Sequence, residues 1–358
     1  MQNPSDGENK NTKDVKGSIA ISGGKVGVLS LEPSANFKAS VTGGHVGEIS
    51  YFQTAEGRDL VEFVTGGTFG MDVTKFCVLG YKAEQSGNFY EVIALTQLEE
   101  YAIVDGELTE FVNANVIEVG TLTYQRTIKS ANLDKWQPLF VPFEIPVEDL
   151  VKMGYDVAYF NDFRETLDED NNVIPDQAIV ELVKIKRGTL KANHPYAIKA
   201  KTSEALNMTL VLTNAKLYQS DSKYHHRVEC SSATKRFEFM GTYKAGKKED
   251  LVGADGTVYV MSGGGLMSLN NVAMLGAFRL YMTITHKDGS PYIESNESSA
   301  RTIRLEVIGE ENENGETIIY DVVGTEQKSE AIFDMQGRRV QEPQKGSLYI
   351  VNGKKVMY

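Results

Sequence analysis

A seven-residue pattern occurs three times near the beginning of the chain and limits how this part can fold. It consists of an apolar residue, Ser or Thr, two glycines, a variable residue, an apolar residue and a final glycine, and it covers residues 21–27, 41–47 and 64–70. The first glycines of successive copies are 20 and 23 residues apart. Repeats of about 20 residues, made of short β-runs and glycine turns, are typical of a stacked β-solenoid.

The apolar positions beside the glycines are expected to stack inward from coil to coil, while the glycines supply the turn geometry. These positions are Ile21, Val26, Val41, Val46, Val64 and Phe69. The variable position, occupied by Lys25, His45 and Thr68, is expected to face solvent. The segments between the copies differ in detail, so ordinary antiparallel hairpins with Gly-Gly turns remain an alternative.

The middle of the chain has the two-residue alternation of half-buried strands. Phe278, Leu280, Met282 and Ile284 share one face of such a run, and Ile303, Leu305 and Val307 share one face of another. About ten runs of this kind, separated by turn signals, predict an antiparallel β-sandwich. One short helix is expected between Pro146, which suits a first turn, and Gly154, which suits a helix end.

These patterns predict an all-β protein with a short N-terminal parallel β-solenoid-like array, a central antiparallel β-sandwich and a small C-terminal β-sandwich or hairpin module. The expected divisions are a disordered lead-in at 1–16, the repeat region at 17–117, the β-sandwich domain at 118–308, an acidic linker at 309–330 and the C-terminal module at 331–358.

The last 28 residues contain two short apolar runs, 331–333 and 348–351, and each is followed by a polar turn signal. Asn352-Gly353 between apolar segments is a strong hairpin signal because both turn residues must adopt a positive φ. Basic pairs follow the turns, Arg338-Arg339 and Lys354-Lys355. These features alone are also compatible with β-hairpins that merely end the chain.

This segment resembles the C-terminal sorting module of proteins exported by the type IX secretion route of Bacteroidota. The residues that carry the resemblance are Phe333, Asp334, Gly337, Arg338 and Val340, followed by Lys345, Gly346, Tyr349, Ile350, Val351, Gly353, Lys355 and Val356. Ser347 departs from the commonest form and moves Tyr349 one residue further from Gly346. The resemblance implies a small β-sandwich that the type IX secretion machinery recognises at the outer membrane and that is often removed during export.

The rest of the chain is similar to surface proteins of the same bacteria. Their repeats have the same Gly-Gly pattern, and a segment matching residues 71–77 tends to close the array. The central region matches a module of unknown function through scattered residues. They are Trp136, Leu139, residues 141–143, Lys191, residues 193–196, residues 230–232, residues 263–265, residues 278–279 and residues 281–282. This resemblance implies no known activity.

Composition limits the possible partners. The net charge of −12 and the lack of a basic cluster argue against a nucleic-acid partner. Apolar runs shorter than ten residues predict no membrane-spanning helix. The first eight residues lack the charged and apolar regions of a signal peptide, and since an exported protein needs one, we expect that Met1 was added or that upstream sequence is missing.

Several residues of chemical interest have a simpler structural interpretation. Cys77 and Cys230 are far apart, so a disulfide is possible, but a buried free thiol is the common outcome in apolar strands. Residues 168–172 begin like a calcium loop, but Val173 and Ile179 stand where that loop needs Gly and Glu, so a turn is predicted. Adjacent histidines on a strand point to opposite faces, so His225 and His226 cannot easily share a metal ion.

Other candidates are expected to be structural as well. His194 fits a turn or strand entry, and His286 is expected to be a half-buried packing residue. Residues 263–265 are not followed by a phosphate-binding helix and predict a turn or bulge. The aromatic residues, with Trp136 as the only tryptophan, are expected to pack in cores. The sequence therefore predicts no catalytic, cofactor-binding or metal-binding residue.

Two hypotheses of function follow. The first is a secreted or outer-membrane surface protein without catalytic activity, which binds an extracellular glycan or protein through exposed strand faces and loops. The alternative is a polysaccharide-active lyase or hydrolase on the β-solenoid, which would need ionisable residues aligned on one face of the stack. The chain can also be the C-terminal part of a longer surface protein whose active portion lies upstream.

Overall fold

The structure is a computed structural model of all 358 residues that divides into a first unit, residues 1–318, and a second unit, residues 319–358. The described residues of the first unit are 17–31, 37–51, 62–108, 110–165, 178–231, 235–252, 257–269, 273–290, 302–311 and 317–318. In the second unit they are 319, 332–333, 339–340, 348–351 and 354–357.

The three glycine patterns form a parallel stack. The strands of this sheet are β1 Gly17–Leu31, β2 Phe37–Tyr51, β3 Val64–Phe69, β4 Tyr81–Ser86 and β5 Phe89–Ala94, in the order β1-β2-β3-β5-β4. The pairs β1·β2 and β2·β3 are parallel and place equivalent positions of the copies side by side, as with Lys25, His45 and Thr68. The solenoid-like prediction is therefore confirmed, and the hairpin alternative for the copies is wrong.

The predicted inward positions form the core of the stack. Val41, Val46, Val64 and Phe69 are all at most 1% exposed, and Ile21 is 9% exposed. Val26 is half-buried, and among the described residues its strand, β1, has a neighbouring strand on one side. After the third copy, a 3-10 turn at Thr74–Phe76 inserts Phe76 into this core, and the antiparallel pair β4·β5 follows.

The repeated glycines allow the coils to approach closely. A Cβ atom on Gly47 would lie 2.4 Å from the carbonyl oxygen of Gly27, and one on Gly70 would lie 2.4 Å from the carbonyl oxygen of Gly47. Real Cβ atoms do not come so near a backbone oxygen, so a larger residue would push the coils apart. Glycine at these positions is therefore required for the observed distance between the coils.

The remainder of the first unit contains the sandwich strands and two short helices. They are β6 Gln97–Asp105, β7 Ile117–Thr127, β8 Trp136–Leu139, β9 Ile145–Pro146, α1 Val147–Lys152, β10 Tyr155–Arg164, β11 Ile179–Ile185, β12 Thr189–Leu190, β13 Tyr196–Ala200, β14 Asn207–Leu217, β15 Val228–Ser231, β16 Lys235–Thr242, β17 Gly246–Lys247, α2 Lys248–Val252, β18 Val258–Ser262, β19 Gly265–Ser268, β20 Met274–Leu275, β21 Arg279–His286, β22 Thr302–Glu311 and β23 Thr317–Ile319.

The largest sheet has the order β15-β16-β21-β18-β19-β22-β11-β10-β13-β8, with β23 beside β22. A three-stranded sheet, β14-β7-β6, and the short pairs β12·β9 and β17·β20 accompany it. Antiparallel pairing predominates, as predicted, but β6·β7 and β11·β22 are parallel. Parallel neighbours need a long connection, and for β11 and β22 that connection contains most of the sandwich.

The sandwich core contains the predicted apolar faces. Phe278, Leu280, Met282 and Ile284 are all buried. Ile303 is buried as well, while Leu305 and Val307 are half-buried against the same core. The short helix is confirmed as α1, which Pro146 precedes and Gly154 follows at a φ of 89°.

Two boundaries differ from those expected from the sequence. The stack core ends at Val92, whereas Ile103 of β6 belongs to the sandwich core, so β6 joins the sandwich rather than the repeat region. At the other end, β22 continues to Glu311 and β23 covers Thr317–Ile319, inside the segment expected to be a linker. The acidic residues near position 310 suggested a solvated linker, but they lie at the end of a strand that is paired within the sheet.

A buried ionic cluster connects the three-stranded sheet β14-β7-β6 to the largest sheet. The side chain of Asp105, at the end of β6, is fully buried and receives hydrogen bonds at 2.7 and 2.8 Å from Nη1 of Arg279 on β21. Nε of Arg126 on β7 lies 3.5 Å from the same carboxylate, and the hydroxyl of Tyr124 donates to it at 2.8 Å. Burial and the Asp105 charge together raise the pKa of Tyr124.

The second unit contains β24 Ile332–Phe333, β25 Arg339–Val340, β26 Leu348–Val351 and β27 Lys354–Met357. They form an antiparallel sheet in the order β25-β24-β26-β27. Val351 pairs with Lys354, so two residues connect β26 to β27, as the Asn-Gly signal predicts. In the described part of the chain, no helix is long and apolar enough to cross a bilayer.

We predict that Asp105→Ala lowers the free energy of unfolding by about 3 to 5 kcal/mol, because it leaves Arg126 buried without its counter-charge. Urea unfolding followed by circular dichroism measures the change. Glu84→Ala, which removes an exposed partner of Lys82, is the matched control and should change the midpoint little. Equal midpoints for the two variants would show that the buried cluster does not stabilise the fold.

Candidate binding groove

A groove with a volume of about 630 Å³ lies where the repeat stack meets the sandwich. The stack contributes Thr65 and Val78 to its walls. The sandwich contributes three segments, residues 110–114, 220–225 and 242–244. Ligand pockets commonly have volumes of 300 to 1,000 Å³, so the groove has the size of a site for a small molecule or a few sugar units.

Backbone hydrogen bonds hold the three sandwich segments together. The N–H of Phe111 donates to the carbonyl of Tyr243 at 2.8 Å, and the N–H of Ser220 donates to the carbonyl of Asn113 at 3.0 Å. The N–H of Ala114 donates to the carbonyl of Leu79 at 3.0 Å, which attaches residues 110–114 to the segment just before β4. The walls are therefore fixed relative to each other by main-chain contacts.

The base of the groove is formed by the buried ring of Tyr243. Its hydroxyl donates to Oδ1 of Asn193 at 2.6 Å, and its ring packs against Phe111, Phe140 and His225 with centroid distances of 4.7 to 5.6 Å. Burial raises the pKa of Tyr243 well above its usual range. The base is thus a rigid neutral aromatic surface.

A short turn presents the most exposed aromatic side chain of the groove. Asp221 caps the 3-10 turn Ser222–Tyr224 by accepting a hydrogen bond from the Lys223 N–H at 3.0 Å, which lowers the pKa of this carboxyl. The turn leaves Tyr224 41% exposed, with Nζ of Lys223 4.9 Å from its ring centroid. Exposed tyrosine rings of this kind stack on apolar faces of ligands and keep a polar hydroxyl in water.

The rim of the groove carries both signs of charge. Nζ of Lys244 lies 3.1 Å from the Glu110 carboxylate, and Nζ of Lys223 lies 3.3 Å from that of Asp221. These exposed pairs contribute little to stability. They supply donors and acceptors for hydroxyl or amide groups without favouring a strongly charged ligand.

The arrangement does not contain an activated nucleophile. Nε2 of His225 lies 2.9 Å from the backbone carbonyl oxygen of Ser220, whereas the Ser220 hydroxyl contacts the backbone N–H and carbonyl of Asn113. Nucleophilic catalysis needs the imidazole in contact with the hydroxyl itself. In this structure the Ser220 hydroxyl and the His225 ring are therefore not paired as a nucleophile and its base.

A second polar surface is a row across the outer face of the stack. Lys25 pairs with His45, His45 with Thr68, Thr68 with Glu91 and Glu91 with Glu84, so the row crosses all five strands. Cross-strand neighbours share one face. The row contains four ionisable side chains, Lys25, His45, Glu91 and Glu84, with Thr68 between them; both carboxylates are exposed, and Glu84 is paired with Lys82.

His45 was expected to face solvent, and it is half-buried in this row. Its Nδ1 lies 3.0 Å from Oγ1 of Thr68, and its ring meets the ring of the exposed Phe89 edge-on at 5.0 Å. Phe89 on β5 was not expected from the repeat pattern because it comes from the hairpin that follows the stack.

The structure groups the histidines differently from the sequence. His225 points inward to the groove base, while His226 faces His194 with ring centroids 5.4 Å apart. Burial lowers the pKa of His194, and the nearby His226 lowers it further. His286 is exposed rather than half-buried, because the turn at Asp288-Gly289 ends its strand above the core. Among the described residues, no group of three His, Cys, Asp or Glu side chains could hold a metal ion.

Both cysteines are free and buried, so the disulfide alternative is wrong. Burial, followed by the charges of Asp72 and Glu62, raises the pKa of Cys77 to about 11. Burial and Asp162 raise the pKa of Cys230 to about 12. These thiols are inert at neutral pH because the reactive thiolate is disfavoured.

The remaining structural expectations have direct outcomes. Gly263 and Gly264, with φ values of 62° and 92°, form the turn between β18 and β19, as predicted. Trp136 is buried, and Nζ of Lys199 lies 5.3 Å from its ring centroid. The calcium-like segment 168–172 lies outside the described residues.

The motif of the second unit is described only in its strands. Phe333, Val340, Tyr349, Lys355 and Val356 lie on β24 to β27. Asp334, Gly337, Arg338, Lys345, Gly346 and Gly353 lie outside the described residues. Tyr349 pairs with Val356, which defines the strand register after Ser347.

Comparisons with protein-family models, with curated proteins and with solved structures found no match to the chain.

We predict that stability falls as the pH drops below the ordinary histidine pKa of 6.5, because burial lowers the folded-state pKa of both His194 and His225. The unfolded chain then binds more protons than the folded chain, so the stabilisation present above 6.5 is lost as the pH falls through the folded values. Thermal unfolding between about pH 8 and pH 5 should show a decrease of several degrees, above the range in which most carboxylates titrate.

His194→Asn should reduce the slope of that pH dependence, since it removes one group that must stay neutral. His286→Asn, which changes an exposed histidine, is the control. A slope unchanged by His194→Asn would assign the pH dependence to other groups.

Proposed function

We propose that the protein is an exported, non-catalytic surface or secreted protein that binds a glycan or a polar segment of a protein in the groove between its repeat stack and its sandwich. The observation that carries this proposal is the groove itself, with its fixed walls, neutral aromatic base and exposed Tyr224. Its volume and its aromatic and polar lining support the proposal, because ligand pockets are commonly preformed clefts of this size.

The chemistry of the lining favours a neutral, hydroxyl-rich ligand. Tyr224 offers a ring for the apolar face of a sugar, and the paired charges of Lys244 with Glu110 and Lys223 with Asp221 offer hydrogen bonds of both kinds. A strongly anionic ligand would meet Glu110 and Asp221, and a strongly cationic ligand would meet the two lysines. An uncharged glycan avoids both penalties.

Delivery by a type IX-like C-terminal signal is the second part of the proposal. The resemblance of residues 331–358 to that sorting module supports it, as does the separation of residues 319–358 into a unit with its own antiparallel sheet. A unit with its own sheet is what a separately recognised sorting module requires. The partner would then be the type IX secretion machinery, and the final location would be the outer-membrane surface or the medium.

The second candidate function is a polysaccharide-active enzyme that uses the stack face. The row from Lys25 to Glu84 favours it. Acid and base catalysis by carboxylates usually relies on one desolvated group beside one exposed group in a cleft. Glu91 and Glu84 lie on an open strand face, so we rank binding above catalysis.

We predict that Tyr224→Ala weakens binding of the best ligand from a glycan array by about tenfold, which corresponds to the loss of roughly 1.4 kcal/mol of ring contact. Isothermal titration measures the affinity. Phe89→Ala, which truncates an exposed ring on the stack face, is the matched control and should leave the affinity unchanged. A loss with Phe89→Ala alone, or shortening of the polysaccharide on incubation, would move the function to the stack face.

We predict that the full gene, expressed in a host with type IX secretion, yields a surface or secreted product whose C-terminus lies after β23, within residues 320–330. Mass spectrometry of the mature protein measures that end. Deletion of residues 331–358 should leave the protein inside the cell. Protein retained in the cell with Tyr358 intact would mean that the closing hairpins have a structural role only.

A further inference from the structure

His194 and His226 belong to different segments of the sandwich, and the fold brings their rings together. The ring centroids are 5.4 Å apart, and the ring planes are inclined at 61° to each other. His194 is half-buried and His226 is exposed, so the pair is accessible from solvent. Neither residue is among those that line the groove. The pair is therefore a separate feature of the sandwich.

The separation of the two rings is that of imidazoles that share one metal ion. Zinc binds an imidazole nitrogen at about 2.0 to 2.1 Å, which places the ion about 3.2 Å from the ring centroid. Two such rings at the tetrahedral angle of about 109° have centroids about 5.2 Å apart. The ion must also lie in the plane of each ring. Planes inclined at 61° intersect, whereas those of parallel stacked rings do not, so the distance and the inclination are both compatible with a shared ion.

The backbone beside the pair is fixed by hydrogen bonds. The N–H of His226 donates to the carbonyl of Asn193 at 2.8 Å, and the N–H of Asn193 donates to the carbonyl of Val141 at 2.8 Å. The Asn193 amide group donates to the carbonyl of Gln219 at 2.9 Å and accepts from the Tyr243 hydroxyl at 2.6 Å. Four hydrogen bonds therefore hold the residue that precedes His194, and one of them comes from His226 itself.

The conformation around His194 is also restricted. Asn193 is 4% exposed and has a φ of 56°, in the left-handed region that is uncommon for residues other than glycine. Such conformations cluster at functional sites, where the surrounding structure holds them in place. Pro195 limits the backbone of the residue before it, and the ring of Tyr196 packs 5.0 Å from that of His194. The two histidines are thus held close together without a metal ion.

The cationic side chains nearest in the chain are paired with carboxylates. Nζ of Lys191 lies 3.0 Å from the Glu144 carboxylate, and Nη1 of Arg227 lies 3.5 Å from that of Glu238. Each pair is neutral as a whole, so neither leaves an uncompensated positive charge beside the rings. The net charge of −12 favours the approach of cations to the chain in general.

We propose that His194 and His226 form a binding site for a divalent transition-metal ion, with Zn²⁺ as the first candidate. Imidazole nitrogens suit zinc, copper and nickel, whereas calcium and magnesium prefer oxygen ligands. Resident zinc sites have three or four protein ligands, and the described residues offer no group of three His, Cys, Asp or Glu side chains. Two histidines supply half of a tetrahedral shell, so water completes it and the ion exchanges with the medium. This site does not depend on the function proposed for the groove.

The test is isothermal titration of the intact chain, prepared without a histidine tag, with zinc sulfate. We expect one zinc ion per chain to bind in a step that needs both rings. The unfolding temperature should rise with the zinc concentration, because the ion binds the folded pair. Magnesium sulfate at the same concentrations should produce neither effect.

His226→Asn is the main variant, because its ring is exposed and can be replaced without disturbing a core. His194→Asn is the second variant. Each should weaken zinc binding by more than about tenfold, since even the groups behind a metal ligand contribute 10- to 100-fold to the affinity. His286→Asn, which changes an exposed histidine at the end of β21, is the matched control and should bind zinc like the wild type. Circular dichroism checks that all three variants are folded.

A spectroscopic measurement separates ligation from a structural role of the rings. Cu²⁺ binds nitrogen sites more tightly than Zn²⁺ does and is visible by electron paramagnetic resonance. Pulsed spectra of the chain with one equivalent of Cu²⁺ should show two coordinated imidazoles in the wild type and in His286→Asn. They should show one in His226→Asn.

Three results would overturn the proposal. A wild-type chain that binds no zinc at any concentration at which it stays in solution has no such site. Zinc binding that is unchanged in His226→Asn takes place at other residues. Magnesium binding as strong as zinc binding would assign the ions to carboxylates of this acidic chain instead of the two imidazoles.

Discussion

The carboxylate of Asp105 is the contact on which the arrangement of the first unit depends. An isolated buried charge is very costly, so Asp105 can occupy the interior only with its partners in place. Those partners come from β7 and β21, and Arg126 also donates to the carbonyl of Pro138 on β8. Asp105 is the last residue of β6, and residues 110–114, which form one wall of the groove, follow it closely in the chain. The cluster therefore limits where this wall can lie.

The groove is therefore rigid for reasons that lie outside it. Residues 110–114 are held by backbone bonds to Leu79 and Tyr243, and the ionic cluster fixes the end of β6, the strand that precedes them. A preformed site loses little conformational entropy when a ligand binds. The Ser220 hydroxyl and the His225 ring are held in the same way, because both contact backbone atoms.

The local features of the fold could be predicted from the sequence. The Gly-Gly pattern predicts closely stacked coils, and the alternation from Phe278 to Ile284 predicts a buried strand face. Pro146 and Gly154 mark the two ends of a short helix. The ionic cluster and the groove could not be predicted, because they join residues far apart in the chain: 174 positions separate Asp105 from Arg279. The pairing of His194 with His226 was missed for the same reason. Only the tertiary pairing of strands shows which distant polar residues meet.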